Sequence, residues 1–287
     1  MTTEIKNLLN ALLRPLNLKI ETLRMEQWET ERLQALVREG HFGKPVAPVP
    51  DSFRRCDGEW ILTAVRRHAN DFAKVVSGGG CTPYQLRNDY YTSPDAEVLY
   101  SLTRELKPRK IVEIGAGNST LLFREAISDE GIGTELVSID PHPRRNISRF
   151  ADRCLEARLE SRAASEEVLS LKSGDFLFID SSHEIKVGND VVKLFLEILP
   201  ALPPGVVIHI HDIFLPYEYP KEWIIQNRWP WNEQYLVQAM LQGSEEYEVF
   251  WAGHYHQKTM PDFAKHFPLW LGKDASSLWL KKIGSNC

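Results

Sequence analysis

Cysteine is scarce: the chain of 287 residues has four, Cys56, Cys81, Cys154 and Cys287, far apart and with no C-x-x-C pair. That excludes a disulfide framework and the usual zinc-ligand spacing. A reducing, cytoplasmic setting is the expectation. No apolar run reaches the roughly 18 residues that a membrane span needs. The front of the chain carries Asn7 and Asn10 inside its apolar stretch and Arg14 and Pro15 after it, so neither a secretory signal nor a membrane partner is expected. An excess of one charge is missing too. There are 34 Lys and Arg against 39 Asp and Glu, with no long block of either, so a nucleic-acid partner is disfavoured. No internal repeat or low-complexity tract appears. What is present is 43% hydrophobic residues with 8 Trp, 9 Tyr and 12 Phe, ample for a dense core or an aromatic pocket. The length suits one large domain or a domain plus a cap.

Ile5, Leu8, Leu9, Leu12, Leu13 and Leu16 keep a helical rhythm that ends near Pro15. With few Lys or Arg opposite, this stripe reads as a packing helix rather than a membrane anchor. A second helix is expected from about Glu21 to Arg38, stopping at Gly40. His41 to Pro50, with three prolines, reads as a linker. A third helix, about Glu59 to Val76, runs into Gly78-Gly79-Gly80, which reads as a cap and a flexible joint. Together residues 1–88 form an expected helical cap or oligomerisation region, with a homo-oligomer as its consequence.

From Ser93 the pattern changes to short β-branched runs alternating with helix-length stretches, as parallel βαβ units do. Ser93-Pro94-Asp95 is expected to open a helix, Ser93 being its cap. Strands are expected at Lys110 to Ile114, Glu135 to Ile139, Leu155 to Leu159, Asp175 to Ile179 and Val206 to Ile210. Tyr247 to Ala252 and Ser277 to Lys281 read as a late antiparallel pair. The fold class is therefore α/β: a Rossmann-like, doubly wound, mostly parallel seven-stranded sheet with an antiparallel C-terminal hairpin over residues 89–287, plus the N-terminal helical cap.

Gly115 and Gly117 lie where the first strand meets a helix N-terminus, so backbone can approach a ligand and present free N–H groups. Thr120 stands where the dinucleotide fingerprint has its third glycine. Glu113 precedes the turn and Asp140 ends the next strand, where a carboxylate can accept bonds from both ribose hydroxyls.

With Val112-Glu113-Ile114-Gly115-Ala116-Gly117-Asn118-Ser119 and Ser138-Ile139-Asp140-Pro141 in these places, the sequence resembles the class I S-adenosylmethionine-dependent methyltransferases. The likeness runs from about Tyr90 to Pro216 and includes the C-terminal hairpin. It implies S-adenosylmethionine as cofactor, with Glu113 at its amino end and the turn Gly115, Ala116, Gly117, Asn118 and Ser119 along its methionine portion. It further implies Asp140 and Pro141 at ribose, and Arg162, Ala163 and Ala164 beside adenine.

Phe176 to His183 and Val207 to Ile213 each place acid and imidazole groups just beyond a strand end. This resembles a subgroup related to macrocin- and cephalosporin-tailoring enzymes, and more distantly to catechol O-methyltransferases. In those relatives, acids after the fourth and fifth strands hold a divalent metal that orients a substrate hydroxyl. The implied ligands are Asp180, His211 and Asp212, for Mg, Mn or Fe, with imidazole favouring a transition metal. Asp180 would also border the cofactor. The open alternative is that Asp212 caps a loop while the histidines make ordinary hydrogen bonds. His183 is the expected general base, because a near-neutral pKa suits proton removal; Asp180 and His211 complete the catalytic set.

Residues 215–231, rich in Tyr, Trp and Pro, read as an aromatic lid carrying Tyr217, Tyr219 and Trp223. The insertion 253–275 with His254 and His256, and Tyr90 and Tyr91 on the cap side, are the other expected substrate contacts. The whole implies methyl transfer to a small-molecule or natural-product acceptor, most simply a hydroxyl. Transfer or cyclisation of the aminocarboxypropyl arm, NAD-dependent oxidoreduction and a non-catalytic scaffold remain the competing readings.

Overall fold

The computed structural model describes residues 3–284; Cys287 lies outside them. Two compact units divide at Lys44, Met1–Lys44 and Pro45–Cys287. The division expected at 88/89 thus falls at 44/45, and residues 45–88 belong to the α/β body.

In the first unit, α1 (Thr3–Leu13) passes through a 3₁₀ turn at Pro15 to α2 (Arg24–Arg38). Asn10 holds the connection at both ends, its amide donating to Ile20 O at 3.0 Å while its Oδ1 accepts Ile20 N–H at 2.6 Å. Contrary to the packing expectation, Leu8, Leu12 and Leu16 stay exposed.

The second unit begins with α3 (Asp51–Arg55) and α4 (Glu59–Lys74), followed by α5 (Asp95–Leu106). The glycine run after α4 is no loose joint. Cys81 and Thr82 N–H donate to the Glu125 carboxylate at 2.9 and 2.5 Å, and a side chain at Gly80 would collide with that same carboxylate. Ser93 does not cap α5 either; its hydroxyl donates to Glu97 at 2.7 Å.

There follow β1 (Lys110–Ile114), α6 (Asn118–Glu130), β2 (Glu135–Ile139), β3 (Arg153–Leu155), α7 (Arg162–Leu169) and β4 (Phe176–Ile179). The chain continues through α8 (Asp190–Lys193), which runs by a π-helical turn into α9 (Leu199–Ala201), then β5 (Val207–Ile210), α10 (Lys221–Ile225) and α11 (Glu233–Gly243). The last elements are β6 (Tyr247–Ala252), α12 (Gly253–Thr259), α13 (Phe263–His266) and β7 (Leu278–Lys282). No helix among the described residues is long and apolar enough to cross a membrane.

The seven strands are ordered β3-β2-β1-β4-β5-β7-β6, with only β7 antiparallel to its neighbours. β1, β2, β4 and β5 read as largely apolar runs because helices cover both faces of a parallel sheet. On one face Val112, Ile114, Leu177, Ile179, Ile208 and Ile210 pack against α7, the α8–α9 segment and α11; on the other Ile111, Phe176 and Phe178 meet α4, α5 and α6. Each such side chain, fully buried, contributes roughly 1.5 to 3 kcal/mol. The strand order reverses between β1 and β4, the switch point where open α/β sheets bind ligands beyond their carboxyl ends.

Candidate active site

A cleft of about 1480 Å³ opens at that switch point, bordered by Gly115, Asp140, Asp180, Asp212 and Trp231. Its first wall is the glycine turn. Gly115 has φ 85°, and a Cβ there would sit 1.9 Å from the carbonyl oxygen of Asp180. Its bareness therefore serves the crossing of β4 rather than the approach of a ligand. Gly117 is the open position, with nothing within 4 Å of the Cβ that a side chain would add there. The amides are less free than expected: Ala116 N–H donates to Asp140 Oδ2 at 2.9 Å and Gly117 N–H to Thr120 Oγ1 at 3.0 Å. Asp140 is fixed at the rim by a second bond, from His142 N–H to Oδ1 at 2.7 Å. Each oxygen of this carboxylate keeps acceptor capacity toward the cleft.

Glu113 does not reach the cleft. It is fully buried behind the turn, accepting from Ser119 Oγ and Thr120 Oγ1 at 2.6 Å each and from Ser138 Oγ at 3.1 Å. Thr120 relays this to Gly117, so Glu113 fixes the turn instead of holding a ligand's amino end. Burial pushes its carboxyl up to about 7 against the three hydroxyl bonds. The sequence carried the signal, an acid followed six and seven residues later by Ser119 and Thr120. Asn118 turns aside as well, its amide donating to Asn88 Oδ1 at 2.9 Å.

Pro141 lines the cleft, but Arg162 and Ala163 do not; Ala157, Arg158, Leu159 and Glu160 stand there instead. Arg162 is an exposed residue at the start of α7, paired with Glu166 at 2.6 Å. The strand expected at Leu155 to Leu159 ends earlier, β3 being only Arg153–Leu155, and every contact read from its position shifts with it.

The second wall is a cluster of acids and imidazoles. His183 Nε2 lies 3.1 Å from Asp180 Oδ1 and 3.6 Å from Asp212 Oδ2, while its Nδ1 is 3.0 Å from Glu233 Oε2. His211 Nδ1 lies 3.6 Å from both Asp180 Oδ1 and Asp212 Oδ2. Asp180, His183 and Asp212 can each offer one ligand atom within 4.8 Å of the others, so the donor set fits a cation. His183, expected as a base, therefore stands in this set in the place expected for His211. Its φ of 58°, and that of 56° at Asp212, are left-handed values that His and Asp adopt more readily than most non-glycine residues.

Burial works against a charge on His183, but Asp180, Glu233 and Asp212 outweigh it and push the imidazole up to about 10. His211 is likewise driven well above its ordinary value, burial being overcome by Asp212 and Asp180. Asp180 falls well below the usual carboxylate range, its burial outweighed by His211 and His183. In the protein alone the three carboxylates thus favour the protonated form of His183. Two acids escaped the sequence reading, Glu233 at the start of α11 and Asp95 at the start of α5, each in a first helical turn where acids are ordinary.

Of the expected substrate contacts, Tyr90 and Trp223 line the cleft, joined by Trp229 and Trp231. Trp231 lies 4.3 Å, ring to ring, from His183. Tyr91 is buried against His211 and within 3.3 Å of His209 Nε2. His209 itself is core, stacked on Phe178 at 4.1 Å, and burial holds it well below its ordinary pKa. Tyr219 is buried, its hydroxyl accepting Gln234 N–H at 3.0 Å. Tyr217 packs near His254 off the cleft. His254 Nδ1 meets Ala275 O at 3.2 Å, and burial pushes its imidazole down to about 4. His256 bonds Cys56 O at 3.1 Å and stacks on Trp251. These two histidines lock α12 into the body, and from the same insertion Gly272, Lys273 and Asp274 reach the cleft instead.

A family model described as a methyltransferase domain matches residues 112–213, the stretch from β1 to just past β5 that carries Asp140, Asp180 and Asp212. Among solved structures, the O-methyltransferase from Bacillus cereus in complex with SAH is similar at 15% identity, over 78% of this chain and 91% of that one, with a TM-score of 0.41. An SAH-bound methyltransferase of Podospora anserina is similar at 16% identity, over 93% of this chain and 99% of its own, with a TM-score of 0.42. No curated protein matches the chain.

Proposed function

We propose that the protein is an S-adenosylmethionine-dependent methyltransferase acting on a hydroxyl of a small-molecule or natural-product acceptor, assisted by a divalent cation. One observation carries this reading: Asp140 and the Asp180–Asp212 cluster open onto the same cleft, within the stretch that matches a methyltransferase domain. Asp140 takes the ribose hydroxyls, Gly115 and Ala116 on the cleft wall border the methionine portion, and residues 157–160 flank adenine. Asp180, whose side chain is 31% exposed, is the member of the cluster that meets the acceptor hydroxyl. The tryptophans at 223, 229 and 231 hold the acceptor and keep water away. A cation held by Asp180, Asp212 and His211 would supply Lewis-acid activation of that hydroxyl. Alignment of acceptor oxygen and methyl group provides up to about 7 to 11 kcal/mol of the barrier reduction.

Calorimetric titration with S-adenosylmethionine, followed by product analysis over a panel of hydroxylated acceptors with and without chelator, tests the reading. Saturable binding and release of S-adenosylhomocysteine are expected, with loss of turnover in chelator. Methylthioadenosine as product would transfer the assignment to aminocarboxypropyl chemistry. Asp140→Ala should raise the cofactor dissociation constant by about 10- to 100-fold, since each charge-assisted bond contributes roughly 1.5 to 3 kcal/mol.

A further inference from the structure

Glu233 is fully buried, and its side chain meets the rest of the cluster only through Oε2, which lies 3.0 Å from His183 Nδ1; its Oε1 has no hydrogen-bond partner. Burying a carboxylate is costly unless it is paired and hydrogen-bonded, and His183 is the one partner that offsets that cost here. Its effect is directional: with Nδ1 donating to Glu233, Nε2 is the nitrogen that faces Asp180 and Asp212 and can give up its proton in exchange for a cation.

His211 is held in the mirror sense. Its Nε2 lies 3.3 Å from Ser276 Oγ, which itself donates to Asp212 Oδ1 at 3.1 Å. Ser276 cannot drift, because the buried Asp95 accepts Ser276 N–H at 2.9 Å and Ser277 N–H at 3.2 Å. The opposite nitrogen, His211 Nδ1, is buried without a hydrogen-bond partner and faces the same two carboxylates. Each of the two nitrogens thus lies 3.1 to 3.6 Å from both carboxylate oxygens, and the atoms from Asp180, His183 and Asp212 all lie within 4.8 Å of one another. At 3.6 Å these are not hydrogen bonds. Ligands about 2.1 Å from one tetrahedral ion stand about 3.4 Å apart, close to these four nitrogen–oxygen spacings.

We propose that Glu233 and Ser276 are positioning residues that aim both imidazoles as ligands, making this a two-imidazole, two-carboxylate centre that selects a first-row transition ion over Mg²⁺. The proposal rests on the cation-assisted reading above and replaces its three-ligand set with four. Imidazole suits Zn, Cu, Fe and Ni, whereas Mg²⁺ prefers an all-oxygen shell. Partners that fix the remaining N–H of a ligating histidine typically govern 10- to 100-fold in metal affinity.

The test uses the full chain stripped with chelator and titrated separately with Co²⁺ and Mg²⁺. One Co²⁺ per chain should bind at least about 100-fold more tightly than Mg²⁺, and Glu233→Gln and Ser276→Ala should each weaken Co²⁺ by about 10- to 100-fold while leaving S-adenosylmethionine affinity unchanged. Electron spin-echo modulation of bound Mn²⁺ in the parent protein should show two coordinated imidazole nitrogens, a readout that needs no variant to fold. A cation bound with no nitrogen coupling, and Mg²⁺ as tightly as Co²⁺, overturns the inference while the carboxylate-held cation stands. No divalent ion bound by the parent protein overturns both.

Discussion

The two walls of the cleft are built in opposite ways. At the glycine turn the two acids Glu113 and Asp140 are satisfied from the β1–α6–β2 segment and the turn just after it: hydroxyls of Ser119, Thr120 and Ser138 for Glu113, amides of Ala116 and His142 for Asp140. Across the cleft, Asp180, His183, His211 and Asp212 are crowded together, left-handed at two non-glycine positions, and served by Glu233 and Ser276 from distant segments. The first wall is a self-satisfied mould. The second concentrates charge and leaves a buried imidazole nitrogen facing its carboxylates, as expected where chemistry is done.

The contrast breaks first at Asp180. Asp180→Asn removes the carboxylate that both imidazoles share, and turnover, read as S-adenosylhomocysteine formed, should fall by roughly 10²- to 10⁴-fold. An unimpaired variant would move the chemistry elsewhere in the cleft.

Next comes the mould itself. Gly115→Ala must displace the Asp180 backbone and hold a left-handed alanine, a combination expected to cost about 3 kcal/mol or more in a denaturant titration. Gly117→Ala, with open space around it, should lose under about 1 kcal/mol. Equal losses at the two positions would show that the crossing of β4 does not set the requirement for glycine.

A pH series sharpens the comparison further. Because burial raises Glu113 from 4.5 to about 7, the folded protein keeps this proton through a window in which the unfolded chain has lost it. Stability contributed by this group should therefore fall as pH rises from 4.5 to 7, by up to about 3 kcal/mol. Glu113→Gln should flatten that slope in urea melts across the window. A slope that persists unchanged would place the titration in another group.

The smallest effect is expected at Arg162. As an exposed partner of Glu166 it contributes a few tenths of a kcal/mol, and Arg162→Ala should leave cofactor affinity unaltered by calorimetry. A weakened affinity would return adenine to the position first read from the sequence.

β1, β2, β4 and β5 are legible because a strand buried on both faces must be apolar throughout, and Gly, Pro or Asp marks its end. β3 is not, because an edge strand of three residues, two exposed and one half-buried, carries almost no such signal. Asp140, Asp180 and Asp212 can be picked out for the same reason as the strands they terminate. Glu233 and Asp95 cannot. An acid in the first turn of a helix already has a local explanation in the helix dipole, and nothing in its neighbours tells that it faces an imidazole 50 residues away or pins a loop 181 residues on.

The amino-acid sequence by itself determined the alternation of strands and helices, the glycine turn and the acids at the strand ends, since each depends on residues close together in the chain. Only the tertiary structure decided that Glu113 turns inward, that His183 meets three carboxylates and that His254 and His256 become scaffolding. Charge and hydrogen bonding act over a few ångströms of space, and which groups come that close is settled by how the helices close over the sheet.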